Sequence, residues 1–293
     1  MSAGTRGRAW AASAPPRLGR VPDHEQDDRL DDRLAALESA LAGLDGLLVA
    51  FSGGADSAFL LAAAARALGP QRVVAATAVS PSLADGELPA AAAFASSLGV
   101  RHLTPTTDEL SREGYVANGT DRCFHCKATL LDVLRPLAAS LGLAGVATGT
   151  NADDAVAGFR PGIRAAADRG ALTPLLDAGL TKAQVREASR RWGLPTADKP
   201  ALACLASRIA YGLQVTPAGL ARVDRAEHAL RSHLGVVGHL RVRDLGDGAA
   251  RVELDPEALA RLDEAGHAVV RAAGFTSTTA REFRSGSMNL PAT

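Results

Sequence analysis

Four things are scarce in this chain of 293 residues, and each scarcity excludes something. Aromatic residues make up only 4% against 47% apolar residues overall, so the core has to be built mainly from Ala, Leu and Val. There are three cysteines. An odd count in a chain this long is a poor disulfide framework and suits a reducing compartment. No apolar run reaches the length of about 18 residues that a membrane-spanning helix needs, so no membrane span is expected. A surplus of either charge is also missing: 32 basic and 32 acidic residues give a formal net charge of zero. That balance argues against a polyanion such as tRNA as the main partner. No nucleic-acid partner is expected, though a local basic patch is compatible with these numbers.

The first thirty residues mix Arg, Pro and acidic side chains and lack the continuous apolar core of a signal peptide. Residues 1–28 read as a disordered tail, and the protein as cytoplasmic. Residues 29–44 then place Leu at helical spacing with charges opposite. Short apolar runs follow in alternation with helical segments: GLLVAFSGG, then ADSAFLLAAAARALG stopped at Gly69, RVVAATAVS, LPAAAAFASSLG, VRHLTPTT, a helix over 122–141, and AGVATGTNADD as a strand entering a loop. This alternation predicts an α/β fold, a doubly wound parallel sheet with ligands at the carboxyl ends of its strands. A helix over 181–193 and an ordered loop over 193–212 complete a domain spanning 29–212. From 213 to 293 the pattern changes to a smaller α+β domain: a helix, a hairpin turned at Gly246–Gly248, and one further helix over DPEALARLDEAGHAVVRAAG.

The strongest chemical signal is Ser52-Gly53-Gly54-Ala55-Asp56-Ser57 between a strand and a helix. Two glycines let the backbone turn tightly and approach a ligand closely. The helix that follows offers free N–H groups and the positive end of its dipole to anions. Ser52 and Ser57 add hydroxyl donors. Asp56 is repelled by phosphates unless a cation lies between them, which implies Mg2+ bound jointly with the phosphates of ATP. The loop lacks the Lys of the GxxxxGK[ST] phosphate loop, so transfer of the γ-phosphate is not its natural chemistry. The plain alternative is a Gly-rich turn with a capping Ser or Asp. A second element, Thr148-Gly149-Thr150-Asn151-Ala152-Asp153-Asp154, follows a later strand. Gly149, Thr150 and Asp154 are candidates to complete the nucleotide site, with a helix-capping turn as the alternative.

Cys123 and Cys126 form CFHC between Arg122 and Lys127, and Cys204 lies far downstream in ACLASR. Three thiolates are one short of a closed four-ligand site and leave a position for an external ligand. His125 is expected to point away. The flanking Arg122 and Lys127 should lower the thiol pKa values. Against this stands Cys204 as a small buried hydrophobe and CFHC as incidental.

These pieces together (LVAFSGGADS, RCFHCK, ATGTNADD, FRPG, TPL, KPALACLASRIAYG and LRVRDLGDGAARVEL, over about residues 30–285) resemble the LarE-type ATP-dependent sulfur transferases of the ATP pyrophosphatase superfamily. The resemblance implies adenylation of the carboxylates of a pyridinium-3,5-biscarboxylate mononucleotide, release of pyrophosphate, and conversion to thiocarboxylates in nickel-pincer cofactor biosynthesis. It also implies one of two sulfur sources: a sacrificed cysteine near Cys204, or a [4Fe-4S] cluster on Cys123, Cys126 and Cys204, which the three cysteines favour. Asp56 and Cys204 are then the catalytic residues, and a homo-oligomer is expected. Ser207 and Arg208, with Arg241 and Arg243, are candidates for the phosphate of the small-molecule nucleotide substrate, because Arg matches phosphate bidentately. Exposed surface charge is the alternative for the arginines, and Glu227 is a weaker candidate that orients a site group. The competing functions are a tRNA 2-thiolation enzyme, disfavoured by zero net charge and by the lack of a zinc-ribbon pattern, a non-catalytic nucleotide sensor, and an ammonia-dependent amidating ligase that would leave the cysteines idle.

Overall fold

In the computed structural model, residues 23–156, 158, 160–200, 203–235 and 238–284 are described, with backbone only for 23–28. Residues 1–22 of the expected tail lie outside the described residues, as do Phe159 of FRPG and Ala201 and Leu202 of KPALACLASR, while 23–28, expected to be disordered, open the first helix. The Leu-periodic segment forms α1 (Asp23–Ala42), and the apolar runs form β1 (Leu47–Ala50), β2 (Val73–Ala76), β3 (Arg101–Leu103) and β4 (Val146–Ala147). Between them lie α2 (Ala55–Leu68), ended at Gly69 as expected, α3 (Glu87–Ser97) and α4 (Arg122–Ser140).

The sheet is parallel throughout, in the order β3-β2-β1-β4. Leaving β1, the chain builds outward through β2 and β3, then returns to place β4 on the other side of β1. That reversal opens a crevice between the carboxyl ends of β1 and β4. SGGADS leaves β1 and TGTNADD leaves β4, so the two loops emerge side by side. One face of the sheet is covered by α1, α2 and α5 (Lys182–Arg191), through Leu37, Leu41, Phe59, Leu61, Val185 and Ala188. The other is covered by α4, through Leu131 and Leu134 against Leu48 and Val74. This is the doubly wound α/β architecture. The entry to α5 is set by a reciprocal pair in which Thr181 and Gln184 satisfy each other's backbone N–H groups.

The second sheet has the order β5-β6-β7. The expected hairpin is β5 (Leu240–Asp244) and β6 (Ala249–Leu254), turned through Gly246, Asp247 and Gly248, all at positive φ. It packs on α6 (Pro217–Leu234), capped by Thr216 and closed at Gly235 in the left-handed conformation. Two features depart from the sequence reading. The single helix expected over 255–274 is two, α7 (Pro256–Ala260) and α8 (Glu264–Ala272), because Asp263 accepts the Gly266 N–H and caps a new start. A third strand, β7 (Ser277–Glu282), pairs parallel with β6. The core under this sheet also takes in Tyr115, Leu205, Ala206 and Ile209 from upstream, and a bridge from Ile209 to Asp244 ties the 205–208 turn to β5.

Candidate functional site

At the carboxyl end of β1, Gly53 adopts φ +73°, the left-handed conformation that glycine tolerates best. Ser57 Oγ donates to Gly54 O at 3.1 Å and lies 3.0 Å from Ser52 Oγ, while Gly54 N–H reaches Ser52 Oγ at 3.3 Å. The serines thus shape the loop. Gly54 is the N-cap of α2, and no side chain caps that end. The reading of SGGADS as a turn with a capping Ser or Asp therefore fails, and the first-turn N–H groups remain available to an anion.

The TGTNADD loop closes against this turn. A Cβ on Gly149 would lie 2.8 Å from Ser57 N, so only glycine lets the two loops meet. Asp154 pairs with Lys182 at 3.2 Å, and Asp153 accepts the backbone N–H of Lys182 at 2.8 Å, holding α5 in place. The Thr150 and Thr148 hydroxyls are 3.0 Å apart. Asp56 stands in the first turn of α2. Burial pushes its carboxyl above the usual range, partly offset by Lys182 and reinforced by Asp154.

On the sulfur side, CFHC lies in the first turn of α4, within the helix expected over 122–141, which puts Cys123 and Cys126 on one helical face. Cys204 precedes the 205–208 turn and is exposed, so it is not a buried hydrophobe. The expected lowering of thiol pKa fails for Cys126. Burial, then Cys204 and Glu109, push its thiol up to about 12, outweighing Lys127. Arg122 does not assist: its buried guanidinium binds Asn118 Oδ1 and, at 2.9 Å, Ala206 O. His125 turns to Asp121, 3.3 Å away, and packs on Gly114, where any Cβ would collide with its ring. The Tyr115 hydroxyl bonds to Ser82 Oγ, and Ser82 O accepts the Leu205 N–H at 2.9 Å, anchoring the turn after Cys204.

The candidate phosphate arginines are buried, not exposed surface charge. Arg208 is gripped by both carboxylate oxygens of Glu227, at 2.8 and 3.0 Å, and donates to Ala203 O, Cys204 O and Ser207 Oγ. Glu227 also accepts the Val242 N–H. Arg243 pairs with the fully buried Glu253 and donates to Ser207 O at 2.7 Å. Ser207 Oγ donates to Cys204 O at 2.7 Å. These groups brace the segment bearing Cys204. Arg241 donates to Leu240 O, and burial, reinforced by Arg208, pushes its guanidinium down to about 10.

A cavity of about 1620 Å³ joins the two sides. Ser52, Gly54, Asp56, Ser57, Gly149, Thr150 and Asp154 line one end, and the three cysteines, Arg208, Glu227 and Arg241 the other. Ser207 and Arg243 do not line it, and Gly53 meets it through its neighbours. Pockets for one small ligand run to roughly 300–1,000 Å³, so this one has room for two nucleotides. Sequence reasoning missed several cations on its wall. Arg231, beside Arg241, makes no ion pair among the described residues. The chain has 29 arginines and only three lysines, Lys127, Lys182 and Lys199, and all three line this cavity. Their rarity is the signal that the sequence offers, and the combined total of 32 basic residues conceals it. Lys127 lies beside the cysteines, and burial lowers its pKa.

Among the described residues no helix is long and apolar enough to cross a membrane, and no three His, Cys, Asp or Glu side chains are grouped to hold a metal ion. No family model matches the chain. An uncharacterized Synechocystis protein is 44% identical over 228 residues, 78% of this chain and 83% of its own length. An uncharacterized protein of Methanocaldococcus jannaschii is 27% identical over 129 residues, 44% of this chain and 49% of its own length. The pyridinium-3,5-bisthiocarboxylic acid mononucleotide synthase of Lactiplantibacillus plantarum is 36% identical over 229 residues, 78% of this chain and 81% of that protein. At this identity and coverage, the chain belongs to the family of that synthase, the LarE-type sulfur transferases.

Proposed function

We propose that the chain adenylates the carboxylates of a pyridinium-3,5-biscarboxylate mononucleotide with ATP, releases pyrophosphate, and converts them to thiocarboxylates. The observation that carries this reading is the single cavity with an anion-binding helix start at one end and three cysteines at the other. A carboxylate resists nucleophiles because its leaving group would be oxide. Adenylation replaces that leaving group with AMP. The first-turn N–H groups of α2 and the Ser52–Ser57 loop bind and orient the phosphates.

Asp56 suits Mg2+, which is usually held by one or two carboxylates together with substrate phosphates rather than by an all-protein cage. Bound there, the ion offsets phosphate charge as a Lewis acid. Cys123, Cys126 and Cys204 suit a [4Fe-4S] cluster in number and chemistry. Cys204 and Cys123 lie near enough to act electrostatically on the Cys126 thiol, although among the described residues no three such side chains are grouped to hold a metal ion. A cluster held there would supply an iron without a protein ligand for the sulfide to be transferred. Cys126, with its raised thiol, holds its proton at neutral pH. The Arg208–Glu227 and Arg243–Glu253 pairs hold the Cys204 segment at the cavity wall, and Arg241 faces the substrate's anionic end. We assign the nucleotide chemistry to residues 29–212 and the substrate-phosphate side to 213–293.

The test is anaerobic purification with iron and sulfide analysis, followed by ATP, Mg2+ and the mononucleotide, with pyrophosphate and thiocarboxylate measured together. Iron-loaded protein forming both products supports the reading. ATP turnover without any sulfur-containing product refutes it. Iron-free protein that works once per chain and ends lighter by about 34 Da, the mass of H2S lost when a thiol side chain becomes an alkene, assigns the sulfur to Cys204 itself.

A further inference from the structure

The SGGADS loop contains no basic residue, although the phosphates it would hold are strongly anionic. The fold brings one to it from far downstream. Lys199 Nζ lies 3.1 Å from Gly53 O across 146 residues of sequence, and 3.0 Å from Glu87 Oε2 at the start of α3. An ammonium has three N–H donors. Gly53 and Glu87 take two, which leaves one for a ligand in the cavity that Lys199 lines. The backbone around it is fixed by Arg186, which donates to Ala197 O at 2.6 Å and Lys199 O at 2.9 Å. The choice of side chain is informative in a chain with 29 arginines and three lysines. A compact ammonium fits beside a backbone carbonyl and meets phosphate as a point charge, where a planar guanidinium needs room for its fork.

We propose that Lys199 is the phosphate-binding cation of the nucleotide loop, contacting the pyrophosphate portion of ATP and the pyrophosphate that leaves. Glu87 holds the ammonium in position and competes with the arriving anion for it. Lys199 stands five residues before Cys204, so the segment bearing that cysteine is tied to the occupant of the loop. The identity of the anion rests on the function proposed above, but the test measures binding alone.

Inorganic pyrophosphate with Mg2+ is titrated calorimetrically into the full chain, with AMP as control. Lys199→Met is expected to weaken pyrophosphate roughly ten- to hundredfold, the range of a charge-assisted hydrogen bond, and to leave AMP within about twofold. Glu87→Gln is expected to tighten pyrophosphate several-fold, a gain that disappears in the double variant. Unchanged pyrophosphate affinity in Lys199→Met, equal loss for AMP, or a Glu87→Gln gain that survives without Lys199 overturns the proposal. Should Lys199→Met fail to fold, Glu87→Gln decides, and the absence of tightening there overturns it. A wild type that binds pyrophosphate through Lys199 yet releases none from ATP and the mononucleotide defeats the proposed function and leaves this inference standing.

Discussion

The two ends of the cavity are built in different ways. The nucleotide end comes from two loops of adjacent strands, each a single stretch of six or seven residues, to which Lys182 and Lys199 are added from downstream. The sulfur end is assembled from α4, the 203–208 segment, α6 and the second sheet, and its arginines are held by carboxylates distant in sequence. A contiguous loop can keep its shape through backbone geometry and two hydroxyls. An assembled wall has to bury charge and compensate it pair by pair, and so depends on every partner.

The largest effect should follow from Asp56→Asn. Loss of the carboxylate proposed to hold Mg2+ should cut pyrophosphate release roughly 100-fold or more in a coupled phosphate assay. The same change should also raise the melting temperature at neutral pH. Because the Asp56 pKa is raised in the folded state, the folded protein binds this proton more tightly than the unfolded chain. The carboxyl therefore favours folding at low pH and opposes it as pH rises through the carboxylate range, an opposition that asparagine removes. Equal melting curves for the two proteins at pH 4 and pH 7 would contradict this.

Next comes Glu227→Gln, which should leave Arg208 buried without its counter-charge. Breaking such a pair costs about 3–5 kcal/mol. Chemical denaturation should register the loss, and hydrogen exchange should rise in 203–208 with the SGGADS loop unchanged. If both loops loosen together, the two ends are one cooperative unit and the contrast drawn above is wrong. Cys126→Ala should abolish iron binding, read by iron analysis, and keep pyrophosphate release within about twofold, because the anion-binding helix start is a separate element. Smallest is Arg231→Ala: steady-state kinetics should show the mononucleotide KM rising about tenfold, with the ATP KM little changed. An equal rise in both would place Arg231 in the general support of the fold.

The same contrast explains what the sequence made legible. Strand–helix alternation, SGGADS and TGTNADD are local patterns, and the parallel sheet and the meeting of the two loops follow from them. The polar strand Ser277–Glu282 escaped because it buries too little to show an apolar alternation. The break at Asp263 escaped because an acidic residue in a helical stretch reads as solvated surface until its side chain is seen capping Gly266. Arg208 and Arg243 were identified as important, but their carboxylate partners stand 19 and 10 residues away, and no spacing rule connects them. The raised thiol of Cys126 is not legible in the sequence, where Arg122 and Lys127 are its visible neighbours and its burial is not.

The confinement of lysine to one cavity makes the protein its own affinity label. An acylating reagent that on most proteins would decorate the whole outer surface finds side-chain amines here only at Lys127, Lys182 and Lys199. Burial destabilises the Lys127 ammonium and so favours its neutral, nucleophilic form. Peptide mapping after brief acylation, with and without ATP, would therefore footprint the interior of the cavity directly, each protected amine reporting which end the ligand occupies.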